Sequence, residues 1–170
     1  VANVEDGSVS VIDTQDLTEV ARIPVGAAPV QVGFTPSGDQ VYVSLRDENR
    51  MAVIDTASRE VMNRIDVGPN PIQMVATPDG AYVYVANQGT DAEPNNTVSV
   101  IDTATGQVVK TLATGGGAHG VSVSTDGAFV FVTNIADDTV SIIEVGSQHV
   151  VKTLPVGDRP NGIVYGGSSR

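Results

Sequence analysis

Val98-Ser99-Val100-Ile101-Asp102-Thr103 decides the fold, because the chain repeats it. Val11-Ile12-Asp13-Thr14 and Val53-Ile54-Asp55-Thr56 carry the same core, and Ser141-Ile142-Ile143-Glu144 is a decayed fourth copy. The acidic position falls at Asp13, Asp55, Asp102 and Glu144, in steps of 42, 47 and 42 residues. Gly26, Gly68, Gly115 and Gly157 keep those steps, and so do Pro29, Pro71, Ala118 and Pro160. Three markers in one register establish an internal repeat. The five extra residues of the middle step fall between Asn87 and Thr97, in the polar run Gln88–Asn96, which predicts a surface loop.

Working outward, each unit reads as four short strands, a to d. In the cleanest copy these are Ile72–Ala76, Ala81–Ala86, Thr97–Ile101 and Gln107–Leu112. Turn signals separate them: Thr77-Pro78-Asp79-Gly80 between a and b, and Asp102-Thr103-Ala104-Thr105-Gly106 between c and d. Pro presets the first turn φ and Gly accepts a positive one, while an Asp carboxylate accepts from backbone amides just ahead of it. That turn chemistry accounts for the repeated Asp without a metal or acid–base role. Strand b is diagnostic. Tyr82-Val83-Tyr84-Val85-Ala86 and Phe129-Val130-Phe131-Val132 are apolar on both faces, so an antiparallel strand there must be covered on both sides. Four-stranded units of ~40–45 residues, each covered by its neighbours, describe the blades of an all-β propeller. Four-stranded antiparallel blades with essentially no helix are expected, about four blade equivalents in all.

The strand-b endings Tyr84-Val85-Ala86-Asn87 and Phe131-Val132-Thr133-Asn134 resemble the Tyr-Val-Thr-Asn motif of the YVTN-family β-propellers. The flanking Thr-Val-Ser-Val-Ile-Asp-Thr-Ala-Thr-Gly, Val-Gly-x-x-Pro and Thr-Pro-Asp-Gly patterns agree over essentially the whole chain. Copy two departs, with Leu45 in place of the Asn, and Ala118 replaces the inter-blade Pro of the third loop. The resemblance implies a seven-bladed ring and an exported protein: a surface-layer or periplasmic accessory protein, or a relative of lactonases and of haem d1 domains. Periplasmic or cell-surface location rests on it alone, and fold does not fix activity.

Val1-Ala2-Asn3 aligns with Val85-Ala86-Asn87, so the chain is expected to enter partway through a strand b. At the other end Asn161-Gly162-Ile163-Val164-Tyr165 reads as a fresh strand a. The units are then residues 1–25 (strands b to d), 29–67, 71–114, 118–156 and 160–165. Two arrangements follow: an arc of a larger ring, or a closed four-bladed ring in which residues 160–165 complete the first blade.

Composition narrows the function classes. Nine Lys and Arg against 20 Asp and Glu give a formal charge of −11, which opposes binding to nucleic acid or to anionic membranes. No apolar run approaches the ~20 residues of a membrane-spanning helix. Without Cys there is no disulfide, thiolate metal site or thiol nucleophile. No phosphate loop precedes a helix and no serine stands in a nucleophile elbow. Asn95-Asn96-Thr97 is a formal glycosylation sequon on the insertion. In a propeller the d–a and b–c connections share the face around the channel mouth. Asn70, His119, Arg159 and Asn161 stand at or beside those loop ends and are the expected ligand contacts. His149, the other His, begins an outer strand and does not converge with His119. The acidic b–c loops (Glu5-Asp6, Asp47-Glu48, Asp91 with Glu93, Asp137-Asp138) lack calcium-loop spacing and read as solvated turns. The expectation is a non-enzymatic binding or scaffold propeller with no cofactor or metal and with a protein partner or self-association. A piece of a cofactor-bearing or lactonase-like propeller is the alternative.

Overall fold

The structure is a computed structural model that describes residues 1–166. Its strands are β1 Ala2–Asn3, β2 Ser8–Asp13, β3 Thr18–Pro24, β4 Pro29–Phe34, β5 Gln40–Leu45, β6 Arg50–Asp55, β7 Glu60–Asp66 and β8 Pro71–Ala76. There follow β9 Tyr82–Gly89, β10 Pro94–Asp102, β11 Gln107–Ala113, β12 Ala118–Val123, β13 Phe129–Asn134, β14 Thr139–Glu144 and β15 His149–Pro155. A single 3-10 turn at Arg46–Glu48 is the helical content of the described residues. The strands form one three-stranded sheet, β1-β2-β3, and three four-stranded sheets, β4 to β7, β8 to β11 and β12 to β15, all antiparallel. Each is a meander in chain order, and these are the blades.

The repeat motif does three jobs at once. Ile54, Ile101 and Ile143 face the preceding blade and lie in the inter-blade cores. Asp55 and Asp102 cap the c–d turn, accepting from the amides of Ser58 (2.7 Å) and Thr105 (2.8 Å). Thr56 and Thr103 donate to the a–b turn carbonyls of Gly38 (2.9 Å) and Gly80 (2.5 Å). Those a–b turns have the expected chemistry, with positive φ at Gly38, Gly80 and Gly127. The strand-b segments are buried on both faces, as a packed blade interior requires. The inter-blade cores are continuous: Val9, Ile23, Val41 and Ile54 join the first two blades, Tyr42, Ile65, Met74 and Ile101 the next pair, and Tyr84, Leu112, Val121 and Ile143 the last.

Two expectations need correction. Asn161–Tyr165 is not a strand. It lies along β12, with His119 Nδ1 2.8 Å from the Asn161 carbonyl and the Tyr165 amide donating to Ser122 Oγ (3.0 Å). It holds the place of the next inner strand and pairs with no strand b among the described residues. The β1-β2-β3 sheet stays three-stranded, so among the described residues the blades form an arc and not a closed four-bladed ring. The insertion is also less of a loop than its polarity suggested. Gly89 pairs with Pro94, and Thr90 and Glu93 close the turn through Thr90 N–H to Glu93 O (3.0 Å), so the extra residues lengthen a hairpin.

Candidate functional site

The d–a and b–c loops do share one face, and hydrogen bonds lock them together. Ala28, Asn70 and Arg159 each adopt φ near +49° directly before a proline (49°, 49° and 48°), with Gly117 at 69° in the copy that lacks it. That conformation is unfavourable for a non-glycine residue, and doubly so before Pro. It turns the carbonyls of Ala28, Asn70 and Gly117 onto the amides of Arg46 (3.1 Å), Gln88 (3.0 Å) and Ile135 (3.0 Å), the first residues of the b–c loops. The b–c loops answer with side chains. Glu48 Oε1 accepts from the Ala27 amide (2.5 Å), Asn49 Oδ1 from Asn70 (2.9 Å), Asp137 Oδ2 from Gly116 (2.7 Å) and Asp138 Oδ1 from Arg159 (2.8 Å). Glu48, Asp137 and Asp138 are therefore acceptors that fix the neighbouring loop, while Asp6, Asp47 and Asp91 are exposed rim residues beside arginines. Nothing local in the sequence signals this, because donor and acceptor belong to different blades.

Beneath the loops runs a second repeated device. Asn87 Nδ2 donates to Thr97 Oγ1 and Ser99 Oγ, both at 3.0 Å, and Asn134 Nδ2 does the same to Thr139 and Ser141 at 2.9 Å. Asn3 repeats the pattern with Ser8 and Ser10. Both buried amides rest against the inter-blade glycine. A Cβ on Gly115 would stand 2.8 Å from Asn134, which is why that register keeps glycine. Where Leu45 replaces the Asn, Ala52 replaces the Ser, so a polar pair has been exchanged for an apolar one. The Asn of the family-like motif thus ties strand b to strand c and touches no open site.

The four expected contact residues divide. His119, on β12, and Asn161 come together through the Nδ1–H to carbonyl bond, which leaves the ring Nε2 without a protein partner among the described residues. Arg159 reaches back across the face, its guanidinium 3.7 Å from Asp91 on the long hairpin, with both side chains well exposed. Asn70 lies between the second and third blades and is not in contact with the other three; its positive φ suits an Asn at that corner. His149 binds its own turn, Nδ1 to Ser147 O at 2.7 Å, away from His119. Ion pairs at the rim are exposed, and Arg46 holds the Asp47 carboxyl below the usual range through their hydrogen bond. No trio of His, Asp or Glu with metal-binding proximity occurs among the described residues.

Meandering four-stranded blades stacked in chain order through apolar cores define a β-propeller segment. A family model described as YNCE-like beta-propeller matches residues 75–167, more than half of the chain, and the chain belongs to that family. A model described as Cytochrome D1 heme domain matches residues 1–73. Among solved structures, the Hydrazine Synthase of Kuenenia stuttgartiensis is similar, with a TM-score of 0.84 and 26% identity over 89% of this chain and 44% of that one. The chain thus spans under half the length of that relative. No curated protein matches.

The haem suggestion has a chemical test. Residues 1–73 contain neither His nor Cys; their Tyr42 and Met51 are fully buried in the core, and Met62 is exposed on the outer strand β7. The apolar groove in that region, about 380 Å³, is lined by Val9, Val11, Val32, Phe34, Val41 and Ile54 and holds no axial ligand type. Apart from the outer-strand Met62, the matched region presents no exposed side chain of a haem-ligating type, and none lines that groove.

Proposed function

We propose that this propeller segment is a non-enzymatic binding scaffold of an exported or cell-surface protein, using the face where d–a and b–c loops meet. The observation that carries this reading is the way the loop carboxylates are used. Glu48, Asp137 and Asp138 hold backbone amides of the neighbouring loop, leaving a preorganised platform rather than acid–base pairs. The groups that face a partner are His119, Arg159, Asn161 and the Asn70 side chain. The test is direct: purified protein is assayed against a panel of lactones, with His119→Ala beside it. Turnover by the parent that vanishes in the variant refutes the scaffold reading, and absence of turnover in both supports it.

A second reading, a portion of a cofactor-bearing propeller, is favoured by one observation, the partner-free Nε2 of His119. Titration with hemin decides it. A stoichiometric visible band lost in His119→Ala would establish that reading, and featureless spectra would dismiss it.

A further inference from the structure

The a–b and c–d turns, at the end of the strands opposite the loop face, enclose a pocket between the second and third blades. Each of these blades has four strands and a blade packed on either side, so the pocket lies wholly inside the arc. About 160 Å³ in volume, it is lined by Gln40, Tyr42, Val53, Met62, Asn63 and Thr105 among others. Past Gln40 and Thr103 it continues into a trough of about 230 Å³ flanked by Asp39 and Asp79. A break in the repeat creates it. Gln40 stands where the third blade has Tyr82, and Thr103 where the fourth blade has Val145. At the next interface Tyr82 and Val145 pack on the apolar core, and the Tyr84 hydroxyl is sealed there without a partner. Tyr42 is the counterpart of Tyr84, but polar residues replace the apolar pair beside it and a cavity remains.

The polar groups of the pocket have capacity to spare. Tyr42 is 2% exposed, and among the described residues its hydroxyl forms no hydrogen bond. Burial, with the Asp102 and Asp39 carboxylates nearby, pushes its phenol above 10.0, so it stays a neutral donor. The Gln40 side-chain amide also has no protein partner among the described residues. Asn63 Oδ1 accepts from the Arg64 amide (2.8 Å), while its Nδ2 reaches the Gly106 carbonyl only at 3.4 Å, which leaves it N–H groups to donate. Gly106, at φ 65°, makes room for that amide, since a Cβ there would lie 2.8 Å from it. Val53 and Met62 supply an apolar wall.

These features select a class of ligand. No charged side chain lines the pocket, so an ion of either sign would be desolvated there without a counter-charge. A phenol and two amides suit groups that both donate and accept, as hydroxyls do, and the apolar wall suits the C–H face of a ring. The volume equals the share of about five waters at ~30 Å³ each, which is small beside a drug-sized site and enough for one sugar ring. We propose that this pocket binds a neutral saccharide, one ring hydrogen-bonded to Tyr42, Gln40 and Asn63 and the next lying in the trough. There Asp39 Oδ1 is held by the Thr35 and Ser37 hydroxyls and Asp79 Oδ1 by Thr77 (2.6 Å), so the second oxygen of each carboxylate accepts from sugar hydroxyls. This inference is independent of what the loop face binds, because the pocket opens on the opposite side.

Amide chemical shifts of the isotope-labelled chain, titrated to tens of millimolar with glucose, galactose, N-acetylglucosamine and cellobiose, test it, with glucuronate as the charged comparison. At least one neutral sugar is expected to shift the amides of Gln40, Asn63 and Thr105 saturably, and glucuronate to bind at least tenfold more weakly. Tyr42→Phe removes a single oxygen and should weaken binding about tenfold with no loss of thermal stability. Gln40→Tyr with Thr103→Val installs the residues of the next interface and should abolish binding. Tyr84→Phe, at the sealed counterpart, should bind as the parent does. If the double substitution disturbs the fold by circular dichroism, Tyr42→Phe decides alone. Four results would each overturn the proposal: no shift at those amides with any neutral sugar, glucuronate bound as well as the neutral sugars, Tyr42→Phe equal to the parent, or a sugar-soaked crystal with ordered water only in the pocket. Shifts confined to the loop face would also overturn it and would leave the scaffold reading standing.

Discussion

Replacing Asn87 by Leu and Ser99 by Ala, singly and together, tests whether the strand b to strand c tie works as a unit. Asn87 is wholly buried and donates twice, to Thr97 and Ser99, both at 3.0 Å. A neutral hydrogen bond contributes about 1 kcal/mol net, so losing both costs about 2 kcal/mol. The Ser99 hydroxyl, left buried, keeps only the Gly68 amide at 3.3 Å, which adds to the loss. Set against this, Asn87 Oδ1 has no partner, so its removal returns part of the loss. Asn87→Leu should therefore destabilise by about 2 kcal/mol, a fall of about 4–8 °C in Tm for a chain of this size. Ser99→Ala alone strands one Asn87 N–H and should cost about 1–2 kcal/mol.

The double variant recreates the Leu45 and Ala52 pair of the second blade. There the leucine already sits against its inter-blade glycine, with Cδ1 3.0 Å from where a Gly26 Cβ would be. Only the half-buried Gly68 amide loses its acceptor, so the double variant should cost about 2 kcal/mol and not the sum of the singles. The coupling is about 1–2 kcal/mol. Urea unfolding of the four proteins, with unchanged m-values, measures it. Additivity within about 0.5 kcal/mol would refute the idea that the Asn and Ser are exchanged as a pair.

Tyr84→Phe should stabilise by about 1 kcal/mol, because the Tyr84 hydroxyl is buried without a partner and the same register holds Phe131; a loss of stability in urea would contradict this. Burial, with Tyr82 and Asp79 nearby, pushes the Tyr84 phenol up to about 12 from 10.0, so the parent should lose stability between those pH values and Tyr84→Phe should lose less. At the acid end the Asp55 and Asp102 carboxyls lie below 3.8 because backbone amides of Ser58 and Thr105 donate to them. Their contribution is present above 3.8 and disappears as pH falls through the lowered values, so Asp55→Asn with Asp102→Asn should flatten the acid limb of a Tm-versus-pH curve. Gly115→Ala drives a methyl against Asn134, 2.8 Å away, and should cost about 1–3 kcal/mol, whereas Gly157→Ala meets nothing within 4 Å and should be near neutral. Equal losses at the two glycines would refute the packing argument.

The blades were legible because each marker carries a local physical cause: Ile for the core, Asp for its own turn, Gly and Pro for the corner. What stayed hidden depends on groups brought together across blades. Glu48 looks like any surface acid until Ala27, 21 residues back, is placed beside it. The Asn87 amide reads as a motif letter, and only the register of β9 against β10 reveals Thr97 and Ser99 as its acceptors. Asn70 and Arg159 were singled out for their side chains, and the structure gives both a backbone reason to be where they are. In a repeat, every residue that recurs has a blade to build, and its chemistry is consumed there. Function is then to be sought where the register breaks. His119 stands where the other copies have Val30, Ile72 and Asn161, and the long hairpin carrying Asp91 exists once. Asp91 reaches Arg159, and Arg159 is two residues from the Asn161 carbonyl that fixes His119. The irregular positions thus converge on one sector of the loop face, between the third blade and the open end, and a partner of this segment is to be looked for there first.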